Sequence, residues 1–386
     1  MASSSLQVLA GIVGSDGQRD AARYPVGGTS PAIAVAPASA EEVAEILRAC
    51  SADSLGCLVV GGMSRMSSCP PFKRYDVALV TDRLQEFGHY TADMMCTVGA
   101  GAQLTAVNER LRAAEQWLPW EAEVTGPTTI GGAIATSCAG ACEDGFGSPR
   151  RRVLELVAVT GLGEIIRVGA KVTKHSAGYG IHRLLCGSWG SLAVIVEATL
   201  MLAPMPGRKQ YRIGSSGWKD LVDRDTIAEG LSPHLVSFTL TADANSLCAE
   251  YDVVGEESVL TWAETMVGAI TNQSSSSKEW ESAIRFEVDR SKIHDLARSL
   301  HDAYPGSSIR WRPLSGAVWL LHSARAEDYS TAIALARKSD ATWRAELGPS
   351  IERWKVSDGP RSVRKRVIDA FDPHLVLIGE ALRGHA

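Results

Sequence analysis

The sequence predicts an α+β protein of two domains, and three observations lead there. At 386 residues with 45% hydrophobic content, the chain exceeds the roughly 250 to 300 residues at which single cores stop growing. Its first half repeats a strand, a glycine turn and a helix. Its second half alternates apolar strands with amphipathic helices, an order that suits an antiparallel sheet with helices on one face.

Composition removes several function classes. A net charge of −5 gives no basic field, so nucleic acid is not an expected partner. Eight cysteines fall at 50, 57, 69, 96, 138, 142, 186 and 248 without a C-x-x-C pair, so no metal site is expected and scattered reduced thiols are. The N-terminus lacks the basic-then-apolar layout of a signal peptide, and no apolar run approaches the ~20 residues of a membrane span. A soluble intracellular protein is the expectation.

In chain order, residues 1–24 are rich in Ala, Ser and Gly and then polar, and read as a loosely held arm. A first domain follows over 25–206 and a second over 207–386. Ser39 and Glu42 form a capping box, after which Val43, Ile46, Leu47 and Cys50 share a helical face. The apolar strand at 57–60 runs into Gly61-Gly62-Met63-Ser64-Arg65, where backbone amides can form an anion-binding nest or simply a tight turn. A second strand at 95–98 ends in Gly99-Ala100-Gly101, and Leu104, Val107 and Leu111 mark the next helix.

The stretch 126–140, GPTTIGGAIATSCAG, is the centre of this domain. Thr129 is a plausible N-cap, Gly131 and Gly132 let a ligand approach the backbone, and free amides at the helix start would face it. A basic run, Arg150 to Arg152, precedes a hairpin of two strands at 153–160 and 164–168. A long β-branched strand then spans 192–202, and Pro204-Met205-Pro206-Gly207 ends the domain. The second domain shows strands near 210–213, 235–240, 247–253, 283–288, 309–312 and 317–322. Its helices lie near 258–270, 292–304 and 326–338. His294, His301 and His322 read as surface or satisfied core histidines, and Arg361 to Arg366 as an exposed helix face.

G-G-M-S-R after a strand, then V-G-A-G, P-T-T-I-G-G-A-I-A-T, G-x-G-S-P-R, K-H-S-A-G-Y and G-S-W-G-S-L-A-V-I occur in this order over about residues 31–206. Together they resemble the PCMH-type FAD-binding domain of the vanillyl-alcohol oxidase superfamily, and more narrowly the FAD-binding subunits of bacterial glycolate oxidases. Phe371-Asp372-Pro373 resembles the family's closing turn. The resemblance implies a two-subdomain PCMH-type FAD-binding domain followed by an α+β cap domain with an antiparallel sheet. It also implies a noncovalent FAD, since no histidine follows the first glycine pair.

The cofactor-binding residues so implied are Gly61, Gly62, Met63, Ser64 and Arg65 in the diphosphate loop and Pro127, Thr128, Thr129, Gly131, Gly132 and Thr136 in the central stretch. Ser148, Gly190 and Ile195 complete the set, with adenine near Ile195. Met63 stands where a third glycine is usual, and would need a negative φ or a side chain turned away from the diphosphate. Arg151, Glu155, His175 and Gly180 also depart from the pattern. No residue reads as the catalytic base.

The activity implied is FAD-dependent oxidation of a small 2-hydroxy acid such as glycolate, beside a second flavoprotein subunit and an iron-sulfur subunit. The place implied is the cytoplasm, or the periphery of the inner membrane through those partners. Two alternatives stand: a noncatalytic FAD-holding relay or scaffold, and a self-sufficient flavin oxidase or dehydrogenase for another alcohol.

Overall fold

The computed structural model describes residues 2–66, 74–121, 127–172, 180–268, 280–323, 328–347 and 361–378. The chain divides into two units: Met1–Ala139 with Ser148–Met205 and Asp358–Ala386, and Gly140–Gly147 with Pro206–Ser357. The division at 205/206 falls in the Pro-rich connector, but two short stretches cross over in sequence. Residues 140–147, expected in the first domain, cluster with the second unit, and the C-terminal segment clusters with the first.

The first unit holds two larger sheets and a two-stranded antiparallel pair of Gln116–Trp117 with Ala203–Pro204. Four strands run in the order Gln18–Arg19, Ile33–Val35, Val77–Val80 and Cys57–Val60; the last three are parallel, and the first pairs antiparallel with Ile33–Val35. Five antiparallel strands follow the order Phe87–Tyr90, Met95–Gly99, Ala193–Met201, Val153–Thr160 and Ile165–Gly169. The helix Ala40–Ala52 starts as its capping box predicts, with Ser39 Oγ accepting from Glu42 N at 3.2 Å. Glu42 Oε2 accepts from Ala38 N at 2.8 Å, one residue before the cap.

Residues 1–24 are not a loose arm. Ala2–Gly17 is helical with a kink at Gly14 (φ 64°). Leu9 and Val13, one helical turn apart, are buried in the core with Val43, Ile46, Leu47, Val35 and Leu79. Burying such a side chain is worth about 1.5–3 kcal/mol, enough to override a Ser- and Gly-rich composition. Arg19 then grips Asp82 through two hydrogen bonds of 2.9 and 3.1 Å.

At the other end, Arg361–Phe371 is helical, and Asp372 anchors the turn after it. Its carboxylate accepts from Val376 N and Leu377 N at 2.9 and 2.7 Å. Val376 O in turn accepts from Cys57 N at 2.8 Å.

The second unit is a seven-stranded antiparallel sheet in the order Arg208–Ser215, Ser246–Val254, Leu235–Asp243, Ser308–Arg312, Ala317–His322, Ser282–Glu287 and Thr342–Leu347. Side chains alternate across each strand. One face packs Phe238, Leu240, Tyr251, Phe286, Trp311 and Leu320 in a common core with residues from Asp225–Leu231, Glu257–Val267, Ile293–Ala303 and Ser330–Lys338. This is the α+β arrangement expected. The strand Thr342–Leu347 and the helices Trp218–Asp223 and Asp225–Leu231 were not anticipated.

His294 is a satisfied core histidine, with Asp225 Oδ2 at 2.9 Å and the Trp311 indole N–H donating to its other nitrogen at 3.2 Å. His322 lies 2.8 Å from Ser307 Oγ, and burial pushes its pKa down.

Candidate functional site: a cleft in the first unit

The helix Ile130–Thr136 is organised by the residues read from the sequence, though not in the way expected. Thr129 is extended and its Oγ1 caps the helix by accepting from Gly132 N at 3.1 Å. Ile130 N donates to Ala102 O at 2.9 Å and Gly131 N to Ala100 O at 2.8 Å. The first three amides of the helix are therefore engaged by the protein itself, and the expectation of free amides facing a ligand does not hold here. The cause is the Gly99-Ala100-Gly101 turn lying alongside. A Cβ on Gly131 would stand 2.8 Å from Ala100 Cβ, so only glycine lets the two backbones meet.

The C-terminal end is closed by the Gly187-Ser188-Trp189-Gly190 turn. Gly187 N donates to Ile134 O at 3.0 Å and Trp189 N to Ala135 O at 2.9 Å, satisfying carbonyls that a helix end leaves open. Trp189 (φ 56°) and Gly190 (φ 70°) are both left-handed. Thr136 spends its hydroxyl on Gly132 O at 2.8 Å.

Between these elements lies a cleft that opens to solvent. Gly61, Gly62, Met63, Ser64, Arg65, Thr128, Thr129, Gly131, Gly132, Thr136, Gly190 and Ile195 all line it. Pro127 and Ser148 do not: Pro127 backs the loop, its carbonyl 1.6 Å from where a Cβ on Gly62 would stand, and Ser148 precedes the Pro149–Arg151 turn.

Met63 takes φ 55°, so of the two alternatives the negative φ is not taken, and the third-glycine position keeps a left-handed conformation. Met63 packs beside the core of Val26, Leu58 and Val60, and that packing offsets the backbone strain. Among the described lining residues Arg65 is the one cation, and its Nη2 donates to Cys138 Sγ at 2.7 Å. Burial pushes the thiols of Cys96 and Cys186 up to about 12.

Thr81, Glu121, Cys138 and Trp189 also line the cleft and were missed as site residues. Trp189 had a signal, an aromatic enclosed by glycines in a tight turn; the others occur in no pattern that marks them. Of the remaining departures, Glu155 is buried and pairs with Arg167 Nη1 at 2.6 Å, and Gly180 takes φ 62° at the cap of Ile181–Leu185. Arg150 and Arg151 are exposed, whereas Arg152 is buried and donates to Met201 O and Leu202 O at 3.3 Å. His175, Gly126 at the start of the central stretch, and the polar residues 272–277 lie outside the described residues.

Comparison with known proteins defines the class. Alkyldihydroxyacetonephosphate synthase superposes with a TM-score of 0.73 at 12% identity, over 97% of this chain and 84% of that one. A VAO-type flavoprotein from Myceliophthora thermophila gives 0.66 at 14%, over 91% and 79%. The fold is that of the VAO-type flavoproteins.

Within it, residues 31–169 match the FAD binding domain model, and the cofactor of this domain is FAD. D-2-hydroxyglutarate dehydrogenase of Xanthomonas citri pv. viticola is 33% identical over 178 residues, 46% of this chain and 38% of that protein. Glycolate oxidase subunit GlcE of Escherichia coli is 36% identical over 115 residues, 30% of this chain and 33% of that one. The chain thus spans less than two fifths of the length of these two relatives. Among the described residues no helix is long and apolar enough to cross a membrane.

Proposed function

We propose that the chain is an FAD-dependent oxidoreductase acting on a small 2-hydroxy acid such as glycolate, as one subunit of a larger enzyme. The observation that carries this is the coincidence of the FAD binding domain match with the cleft, most of whose lining falls within residues 31–169. Bound FAD accepts two electrons from the substrate. The chain's own residues bind and orient it. At Gly132 a Cβ would meet no backbone atom, only Thr129 Oγ1, closely, at 3.0 Å. Arg65 offsets diphosphate charge, and the Gly61 to Arg65 turn lies against the same cleft. The cofactor is held noncovalently.

The role as a subunit is supported by the relatives named glycolate oxidase subunit, GlcE of Escherichia coli and GlcD of Bacillus subtilis. A second flavoprotein and an iron-sulfur subunit are the proposed partners, in the cytoplasm or at the inner membrane face. The test is spectral. The purified chain should be yellow, release its flavin on acid precipitation, and bleach anaerobically with one of glycolate, D-lactate or D-2-hydroxyglutarate when its partners are present. Flavin retained in the pellet removes noncovalent binding, and no bleaching by any acid removes the substrate class. Dye-coupled turnover by the isolated chain near the ~10 per second median of enzymes would replace the subunit reading with a self-sufficient enzyme.

A further inference from the structure

The sheet of the second unit carries, on the face away from its main core, a smaller apolar cluster of Ala283, Ala317, Trp319 and Leu321, and that face also holds buried polar groups without partners among the described residues. On Ser308–Arg312, Ile309 and Trp311 enter the core, so Ser308, Arg310 and Arg312 project from the other side. Ser308 is 3% exposed, and its hydroxyl has no hydrogen-bond partner among the described residues. Arg310 is partly exposed, yet its Nε is buried and equally without a partner. Thr241 stands opposite Arg310 on one neighbouring strand and Trp319 on the other; both are buried. Trp319 is flanked by the guanidinium carbons of Arg285 and Arg312, at 5.0 and 4.8 Å from its ring centroid.

Burial pushes the Arg310 guanidinium below its ordinary pKa, with Glu250 opposing the shift. Arginine nevertheless stays charged near neutral pH, so a buried N–H of a charged fork left unpaired is costly. A native sheet that keeps such a group beside an orphaned hydroxyl has a use for both.

We propose that Arg310 and Ser308 form a binding site for the carboxylate of a small organic acid. The guanidinium fork matches a carboxylate in two parallel hydrogen bonds, and the Ser308 hydroxyl adds a third donor. Around Arg310 the charge of Arg312 is set against those of Glu250 and Asp243, and so small a net positive field suits a monoanion better than a phosphate dianion. The identity of the acid rests on the proposed 2-hydroxy-acid activity; the site itself does not.

The probe is 2-hydroxyisobutyrate, a hydroxy-acid monoanion with no α-hydrogen to lose, titrated calorimetrically into the FAD-loaded full chain. Arg310→Met should weaken binding about tenfold or more and Ser308→Ala severalfold, as the loss of charge-assisted and neutral hydrogen bonds predicts. Arg310→Lys should fall between wild type and Arg310→Met, and FAD content should not change. If Arg310→Met does not fold, Ser308→Ala and Arg310→Lys decide. Wild-type affinity in these variants, no saturable binding by the wild type, or tighter binding of inorganic phosphate than of the acid overturns the site. The two readings fail separately: loss of the site leaves anaerobic bleaching of wild-type flavin by an oxidisable acid intact, and loss of the enzymatic reading leaves the variants' binding difference intact.

Discussion

The two glycine pairs that line the cleft look alike in sequence and are used differently. A Cβ on Gly61 would stand 2.5 Å from Thr129 Oγ1, one on Gly62 1.6 Å from Pro127 O, and one on Gly131 2.8 Å from Ala100 Cβ. Those three glycines let one segment of protein touch another. Gly132 differs in that its Cβ would meet only the Thr129 hydroxyl, closely, at 3.0 Å, and no backbone atom. A glycine-rich phosphate loop is commonly explained by ligand approach, yet in this cleft most of the glycines answer to packing first. The difference should separate folding from cofactor binding in single substitutions.

The largest effect is expected at Gly62. Gly62→Ala drives a Cβ into a backbone carbonyl that cannot rotate away, and overpacking of this kind costs about 3 kcal/mol or more. The thermal midpoint should fall by roughly 10 °C at the usual 2–4 °C per kcal/mol for units of this size, and FAD binding should fail with it. A midpoint equal to that of the wild type would show that the loop and Pro127 are farther apart than described.

Gly132→Val should do the reverse. The apoprotein midpoint should move by no more than about 3 °C, consistent with a small helix-propensity change, while the dissociation constant for FAD rises about tenfold or more, the 1.4 kcal/mol equivalent of a lost cofactor contact. Equal FAD affinity would place the cofactor away from this helix, and an equal loss of stability would erase the contrast between the pairs.

Met63 sharpens the same comparison at lower amplitude. It occupies a left-handed position that costs a non-glycine residue about 1–2 kcal/mol, repaid in part by packing beside Val26 and Leu58. Met63→Gly exchanges the two terms and should leave stability within about 1 kcal/mol of wild type. Met63→Val keeps the backbone strain, worsens it with a β-branch and shortens the side chain, so it should be the less stable of the two by about 1–2 kcal/mol. Chemical denaturation midpoints at equal slope would read the order; a more stable Met63→Val would mean that packing outweighs the backbone.

Much of this was legible beforehand, for identifiable reasons. Ser39 with Glu42 announced a helix because a cap is local chemistry, and the strands of the second unit announced themselves because both burial and alternation lie in consecutive residues. Twelve of the fourteen site residues line one cleft because the motifs that carry them occur in the order that the fold requires. What could not be read depends on distant segments. The amides at Ile130 and Gly131 were taken as open because nothing in their own stretch shows Ala100 and Ala102 lying against them. The first helix was missed because its composition is Ser- and Gly-rich and a few apolar residues, Leu6, Leu9, Ile12 and Val13, carry its packing. Residues 140–147 were assigned by sequence neighbourhood, whereas Asp144 accepts from Phe238 N at 3.3 Å and Arg312 donates to Gly140 O at 3.0 Å, ninety or more residues away.

The smallest effect concerns a fourth packing glycine, far from the cleft in its role. A Cβ on Gly161 would stand 2.1 Å from Asp372 Oδ1, so the absence of a side chain there is what admits the buried carboxylate of the C-terminal turn. Burial raises the pKa of Asp372, and the amides of Leu377 and Val376 oppose the shift without cancelling it. A carboxyl whose folded pKa lies above its unfolded value binds its proton more tightly when folded. Its contribution to stability is therefore present below the unfolded pKa and is lost as pH rises through the folded pKa. Asp372 should thus tilt the stability profile slightly downward from about pH 4 upward, against the acid-labile trend of ordinary surface carboxylates. Asp372→Asn removes the titration while keeping one acceptor for the two amides, so the variant should lose stability at every pH but lack that downward tilt. Difference profiles of wild type and variant between pH 4 and 7, measured by denaturant midpoint, read the sign directly: a wild-type advantage that shrinks with rising pH fits a raised pKa, and one that grows would show that the two amide bonds outweigh burial.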